Sequence, residues 1–309
     1  MSVPLAYLLV ILIWSTTPLG IVWSSESISP SLALLLRMAI AVAIGLPLMK
    51  LLKIKLDWRP QAIKVYLYSS LSLAFGMLFC YLAGRHISSG LMSLSFGVAP
   101  FISGILAQRI LDEKAFSIIK KLSLVMALAG LGIVSWDNLA VGQSSAVGFL
   151  FIFVGVFTFS LSGVLVKSVD VQLHAMSTTM GSLIVSMPMF LLFWLVMDGQ
   201  LNVQDWQPRA VWSVIYLGVF ASFIGFLAYF YVLQNLAAST VALIVMATPV
   251  LSTVLGIIFN DEHFSYGVFI GGGLVVVGLG LFQFGDKLFN KPANLTQITA
   301  EGDSKLEQG

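Results

Sequence analysis

The sequence predicts an all-α integral membrane protein with ten transmembrane helices in two inverted five-helix repeats. Composition is the first observation behind this. The chain is 58% hydrophobic and only 10% charged, where a soluble domain carries about a quarter charged residues. The second is internal repetition. Pro100, eleven residues and Asp112-Glu113 recur as Pro249, eleven residues and Asp261-Glu262, 149 residues further on. Each copy is followed by an apolar segment carrying Gly-Leu-Gly, at Gly130-Leu131-Gly132 and Gly278-Leu279-Gly280. The third is the distribution of basic residues, which sets the orientation.

Apolar runs of about eighteen or more residues read as membrane spans. Ten such runs succeed one another at 3–23, 31–50, 65–84, 88–108, 118–136, 147–166, 175–196, 210–232, 238–259 and 266–284. The repeats therefore occupy residues 1–137 and 146–284, and the polar segment 285–309 reads as a disordered cytoplasmic tail. The connections leave no room for a soluble domain. Nothing before the first run resembles a cleavable signal, so that helix is retained. The single cysteine, Cys80, falls inside the third run, and no Cys/His cluster suits a metal. No cofactor is expected, and nothing points to nucleic acid.

Of sixteen Lys and Arg, thirteen lie on one set of alternating loops and ends: Lys50, Lys53, Lys55, Arg59, Lys64, Arg109, Lys114, Lys120, Lys121, Lys167, Lys287, Lys291 and Lys305. Arg85 and Arg209 fall on the other side, and Arg37 lies within a span. Cytoplasmic loops are rich in Lys and Arg, so both termini are expected in the cytoplasm of a cell inner-membrane protein. Five spans per repeat force the second copy to enter from the opposite face. Asp112-Glu113 is then cytoplasmic and Asp261-Glu262 external. Both pairs read as helix-end caps or anchors.

Each span in turn offers candidate residues. In the first, Trp14, Ser15 and Thr17 sit at mid-membrane depth, and Pro18 frees the Trp14 carbonyl from the helical ladder. They form a cavity wall, or else the hydroxyls bond back to their own turn. In the second, Arg37 lies about three residues from the middle, roughly 5 Å along the axis. A charge there costs about 2.5–3.5 kcal/mol unless it meets a partner or water. All fourteen Asp and Glu lie in loops, tails or span ends, so no carboxylate partner is evident. Arg37 either meets an anionic substrate group or fixes packing through neighbouring hydroxyls and carbonyls. His86, His174 and His263 also lie near span ends, which disfavours a strongly proton-driven mechanism.

Tyr81 in the third span and Tyr229 in the eighth occupy related places under inversion. Ser89, Ser93 and Gly97 form a small-residue face on the fourth span and read as helix packing. Met92 and Ser95, on another face, are better cavity candidates. Pro100 and Pro249 kink the fourth and ninth spans, as hinges or as static bends. The Phe-rich sixth span faces lipid or packing neighbours. Ser239 and Thr240, which come after Gln234 and Asn235, read as a gate or as interfacial residues. Gly267 and Gly271 offer a homodimer contact or internal packing.

Ten helices in paired repeats, the Trp14-Ser15-Thr16-Thr17 stretch, Arg37 and the Pro-to-acid segments resemble the EamA family of the drug/metabolite transporter superfamily, over about residues 3–284. Where the family often has a Trp in the sixth helix, this chain has Phe157 or Phe159. The resemblance implies a carrier, not an enzyme, with helices five and ten outside a central cavity. It also implies export of amino acids and related metabolites, with sugar or nucleotide-sugar carriage as the alternative. The expected partners are a small-molecule substrate and the lipid bilayer. An intramembrane enzyme would need a metal or acid–base cluster that the sequence lacks. A non-transporting sensor would need a docking surface, and only the tail offers one.

Overall fold

The computed structural model describes residues 2–140, 146–235, 238–263 and 265–289; the side chains of 137–140, 230, 233–234, 238–243, 245, 287 and 289 lie outside that description. Among the described residues there is no strand, and ten helical rods succeed one another. They are α1 (Val3–Ser24), α2 (Pro30–Leu51), α3 (Pro60–Ala83), α4 (Ser89–Ile110), α5 (Ile118–Ala140), α6 (Ala146–Lys167), α7 (Ala175–Met197), α8 (208–235), α9 (Ala238–Asn260) and α10 (Tyr266–Phe289). Nine are long and apolar enough to cross a membrane among the described residues, and α9 contributes a shorter apolar stretch, Met246–Asn260. Pro30, Pro60 and Pro208 stand at the first positions of α2, α3 and α8. A missing N–H costs nothing there, and the ring presets the helical φ.

The repeat is written in the backbone. Asp112 and Asp261 have φ of 53° and 48°, and Lys53 is the one other non-glycine described with positive φ. Behind each Asp the chain closes the helix end alike: Glu113 N–H donates to the Ala107 carbonyl (3.3 Å) and Glu262 N–H to that of Gly256 (3.1 Å). This is a left-handed C-terminal cap with a six-residue return bond. A second correspondence lies in α3 and α8. Each widens into π-helical turns, over Leu71–Gly76 and Leu217–Ile224. Packing shows the same exchange: α1 lies on α9 as α6 lies on α4, and α2 on α8 as α7 on α3.

α5 and α10 pack chiefly on each other, at the periphery. Their crossing is set by glycine. A Cβ on Gly130 would lie 2.4 Å from the Gly271 carbonyl oxygen, and a Cβ on Gly271 the same distance from that of Gly130. Gly271 is therefore used inside the chain, the internal reading of its motif. The Ser89–Ser93–Gly97 face is likewise packing: all three are buried, and a Cβ on Gly97 would meet Val275 of α10 at 2.6 Å. On α6, Phe153 and Phe157 are exposed on the outer surface, while Phe159 turns inward over Gly76.

Two details differ from the expectation. α10 continues to Phe289, so Gly285 to Phe289 are helical rather than tail. Ser117 Oγ donates to Asp286 and Lys120 lies 3.8 Å from it, giving the added turn its polar partners; residues 290–309 lie outside the described residues. The two prolines also behave differently. α4 is interrupted at Gly97-Val98, with Pro100 opening its second half, whereas α9 runs through Pro249 without a break. At the α4 break the N–H groups of Gly97, Val98 and Phe101 bond three residues back instead of four. Ser160 of α6 donates to the Ala99 carbonyl at 3.2 Å, stabilising the irregular turn.

Candidate functional site

Arg37 is fully buried at 0% exposure. Its Nε donates to Ser222 Oγ at 2.8 Å, and its guanidinium carbon lies 5.9 Å from the centroid of the Tyr81 ring, which is also fully buried. Among the described residues both terminal nitrogens of Arg37 are buried without a hydrogen-bond partner, and so is the Tyr81 hydroxyl. One bond of the guanidinium is thus satisfied and its outer fork is unpaired. Leaving buried charged donors unpaired is costly, about 1–3 kcal/mol or more each, so a packing role accounts for Nε and not for the fork.

The neighbouring element explains how Ser222 arrives there. A Cβ on Gly218 would fall 2.9 Å from the Arg37 carbonyl, so α8 and α2 approach closely at this turn. The π-helical turns of α8 then add a residue to the local winding and carry Ser222 to Nε. Such turns recur at functional sites. Ser222 was not singled out by the sequence. The available signal was that it is the one hydroxyl between Leu217 and Leu227.

The repeat-related tyrosine belongs to a second group. Tyr229 stacks on Trp14 with ring centroids 4.8 Å apart and a tilt of 36°. Glycine again allows the approach: a Cβ on Gly225 would lie 3.1 Å from an Ile13 methyl, so α8 runs close beside α1 here. The fold therefore brings Arg37 to Tyr81, and Trp14 to Tyr229. It engages other candidates locally. Ser15 Oγ donates to the Ile11 carbonyl (2.6 Å), Thr17 Oγ1 to that of Ile13 (2.7 Å) and Ser95 Oγ to that of Leu91 (2.8 Å). These three hydroxyls take the back-bonding alternative in this conformation. Met92 is buried at 1% exposure. Ser239 and Thr240 stand in the first turn of α9, but their side chains lie outside the described residues.

The back-bonding sets an expectation for mutation. Ser15→Ala and Thr17→Ala each remove a bond that only returns to its own helix. Each variant should keep folding and at least half of wild-type transport, in contrast to changes at Arg37. Initial uptake rates in proteoliposomes check this.

A described cavity of about 400 Å³ opens between α1, α8 and α9, lined by Leu19, Trp212, Leu255 and Phe259 among others, and its wall is almost wholly apolar. It does not include Arg37. At the same end of the bundle a chain of bonds joins three helices. Trp23 Nε1 donates to Asn260 Oδ1 (2.8 Å), and Asn260 Nδ2 to Glu262 Oε1 (3.1 Å). The same oxygen accepts from the Ser89 N–H (2.9 Å) and hydroxyl (2.7 Å), and Oε2 accepts from the Gly90 N–H (3.2 Å). Among the described residues no group of three or more His, Cys, Asp or Glu is placed to hold a metal ion.

A ten-helix bundle of exchange-related halves, with a buried cation between them, defines a membrane transporter. The chain belongs to the EamA-like transporter family, whose model matches residues 1–136 and 146–283. The two matched segments fall one in each half of the chain. An "Uncharacterized transporter YoaV" of Bacillus subtilis is 25% identical over 92% of this chain and 97% of its own length. An "Uncharacterized transporter" of Archaeoglobus fulgidus is 24% identical over 88% of this chain and 95% of its own. A solved crystal structure superposes with a TM-score of 0.68 at 18% identity, covering 94% of this chain and 99% of that one, which establishes the shared fold.

Proposed function

We propose that the protein is an inner-membrane exporter of small polar metabolites, with amino acids as the substrate class, working by alternating access with both termini cytoplasmic. The observation that carries this reading is the unpaired outer fork of Arg37 in an otherwise closed interior. A guanidinium fork matches a carboxylate in two parallel bonds. The Tyr81 hydroxyl, also unpartnered, supplies a further donor or acceptor. Trp14 and Tyr229 offer aromatic surface to the rest of the substrate, while Met92 is buried and Ser95, Ser15 and Thr17 bond back to their own helices in this conformation. Ser239 and Thr240 stand where the cytoplasmic gate is expected. One cation suits one carboxylate better than the several charges of a nucleotide sugar. Relay carboxylates are confined to span ends and loops, which favours exchange or downhill efflux over obligatory proton coupling.

Counterflow in proteoliposomes tests this. Vesicles are loaded with single unlabelled amino acids, and uptake of labelled amino acid is measured without a proton gradient. The expected result is exchange by a subset of amino acids, lost when the α-carboxylate is amidated. Folded protein that exchanges no amino acid would overturn the substrate assignment.

A further inference from the structure

The matched acidic pairs are in different states in the two halves. Glu262 reaches across from the end of α9 and binds the N-terminus of α4, taking two backbone N–H groups and the Ser89 hydroxyl. Unsatisfied N–H groups at a helix start, with the dipole behind them, favour a carboxylate. The carboxylate is seated against Gly256, where a Cβ would lie 2.4 Å from Oε2. Through Asn260 it also holds Trp23, so α1, α4 and α9 are joined at this end.

Among the described residues Glu113, its counterpart, holds no helix start. It pairs with Lys167 at 2.6 Å on an exposed surface, with 46% of its side chain and 68% of that of Lys167 accessible. Exposed pairs of this kind are worth about 0–1 kcal/mol, so Glu113 is readily released. By the 149-residue offset, its matching target is the start of α9 at Ala238 and Ser239. The rods differ in the same sense. α4, whose start is held, is broken at Gly97-Val98; α9 is unbroken over the matching Met246-Ala247. Two copies of one unit thus show two conformations in a single molecule.

We propose that Glu262 and Glu113 are alternating latches. In the state seen here Glu262 closes its end of the bundle by capping α4. In the opposite state Glu262 lets go, α4 straightens, α9 breaks before Pro249, and Glu113 leaves Lys167 to cap α9. Exchange of conformations between inverted repeats turns one closed end into the other. The inference rests on the alternating-access part of the proposed function and is independent of the substrate.

The test uses full-length protein in lipid nanodiscs without substrate, in a Cys80→Ala background. Spin-label pairs at His86 and His263, and at Lys114 and Asn235, report the two ends; all four positions are exposed. Glu262→Ala should lengthen the His86–His263 distances and shorten the Lys114–Asn235 distances in most molecules. Glu113→Ala should leave the first end closed and abolish the opposite state. Asp261→Asn, next to the latch but outside its bonds, should change neither. Should Glu262→Ala fail to fold, Glu262→Gln keeps the size and one acceptor, and should give a partial shift. The inference is overturned if folded Glu262→Ala or Glu262→Gln keeps wild-type distances at both ends, as a plain helix cap would. It is also overturned if Glu113→Ala opens the Glu262 end. Because no substrate is present, a failed amino-acid panel leaves this result standing, and a failed latch leaves counterflow standing.

Discussion

Arg37→Met should fold as well as wild type and lose exchange by a factor of roughly 30 or more. The two halves of that expectation come from one observation. The guanidinium is fully buried, with Nε bonded to Ser222 and both outer nitrogens unpaired. Replacing a poorly compensated buried charge by an apolar side chain of similar length is often neutral or stabilising. Substrate binding is a different matter. Removing one partner of a buried charge pair costs about 2–5 kcal/mol, which is a factor of roughly 30 to several thousand. Arg37→Lys keeps the charge and loses the planar fork, so exchange should fall nearly as far. Ser222→Ala leaves the fork intact and loosens its aim, and should weaken apparent affinity several-fold with little change in maximal rate. Thermal melting and counterflow rates on the same preparations separate the terms. A melt lowered along with transport in Arg37→Met would assign the residue to packing instead.

Gly271→Ala is expected to destabilise the protein by about 1–3 kcal/mol, the usual cost of forcing extra volume into a packed interior. The methyl would have to occupy a point 2.4 Å from the Gly130 carbonyl oxygen and 2.7 Å from a Val134 methyl. The first of these is backbone in the middle of a helix and cannot step aside. Gly130→Ala meets the same obstacle from the other side. The control is in the same helices: a Cβ on Gly132 or on Gly273 would have nothing within 4 Å. Alanine at those sites should be tolerated or stabilising by up to about 1 kcal/mol, through helix propensity. Melting temperatures in detergent or nanodiscs give the comparison. Equal losses at Gly271 and Gly273 would remove the close-crossing explanation.

Much of the architecture was legible because membrane insertion acts on composition over about twenty residues at a time. Apolar length located the ten rods, and the paired Pro-to-acid segments located the repeat. The left-handed Asp112 and Asp261 show why that motif recurs: each ends a helix with the same return bond. Arg37 was legible for the opposite reason, as one charge inside an apolar run, where burial demands an explanation. Its bonding was not. Ser222 is an ordinary hydroxyl until the π-helical winding of α8 turns it toward Nε, and no local residue choice announces that winding. The prolines were visible, but the unequal outcome at Pro100 and Pro249 was not. Each removes the same donor, yet only α4 is interrupted, at Gly97-Val98, where Ser160 of the neighbouring α6 donates to the Ala99 carbonyl.

The sequence by itself determined the class, the number of rods, the repeat and the position of the buried cation. These come from transfer free energies and from spacing along one chain, both local quantities. Only the tertiary structure decided which groups meet: Arg37 with Tyr81 and Ser222, Trp14 with Tyr229, and Glu262 with the start of α4. It also decided that Glu113 and Glu262, alike in their immediate sequence, have different partners. The physical reason is that contacts across a bundle depend on the helical phase and crossing of several rods at once. A shift of one residue in winding turns a side chain by about 100°.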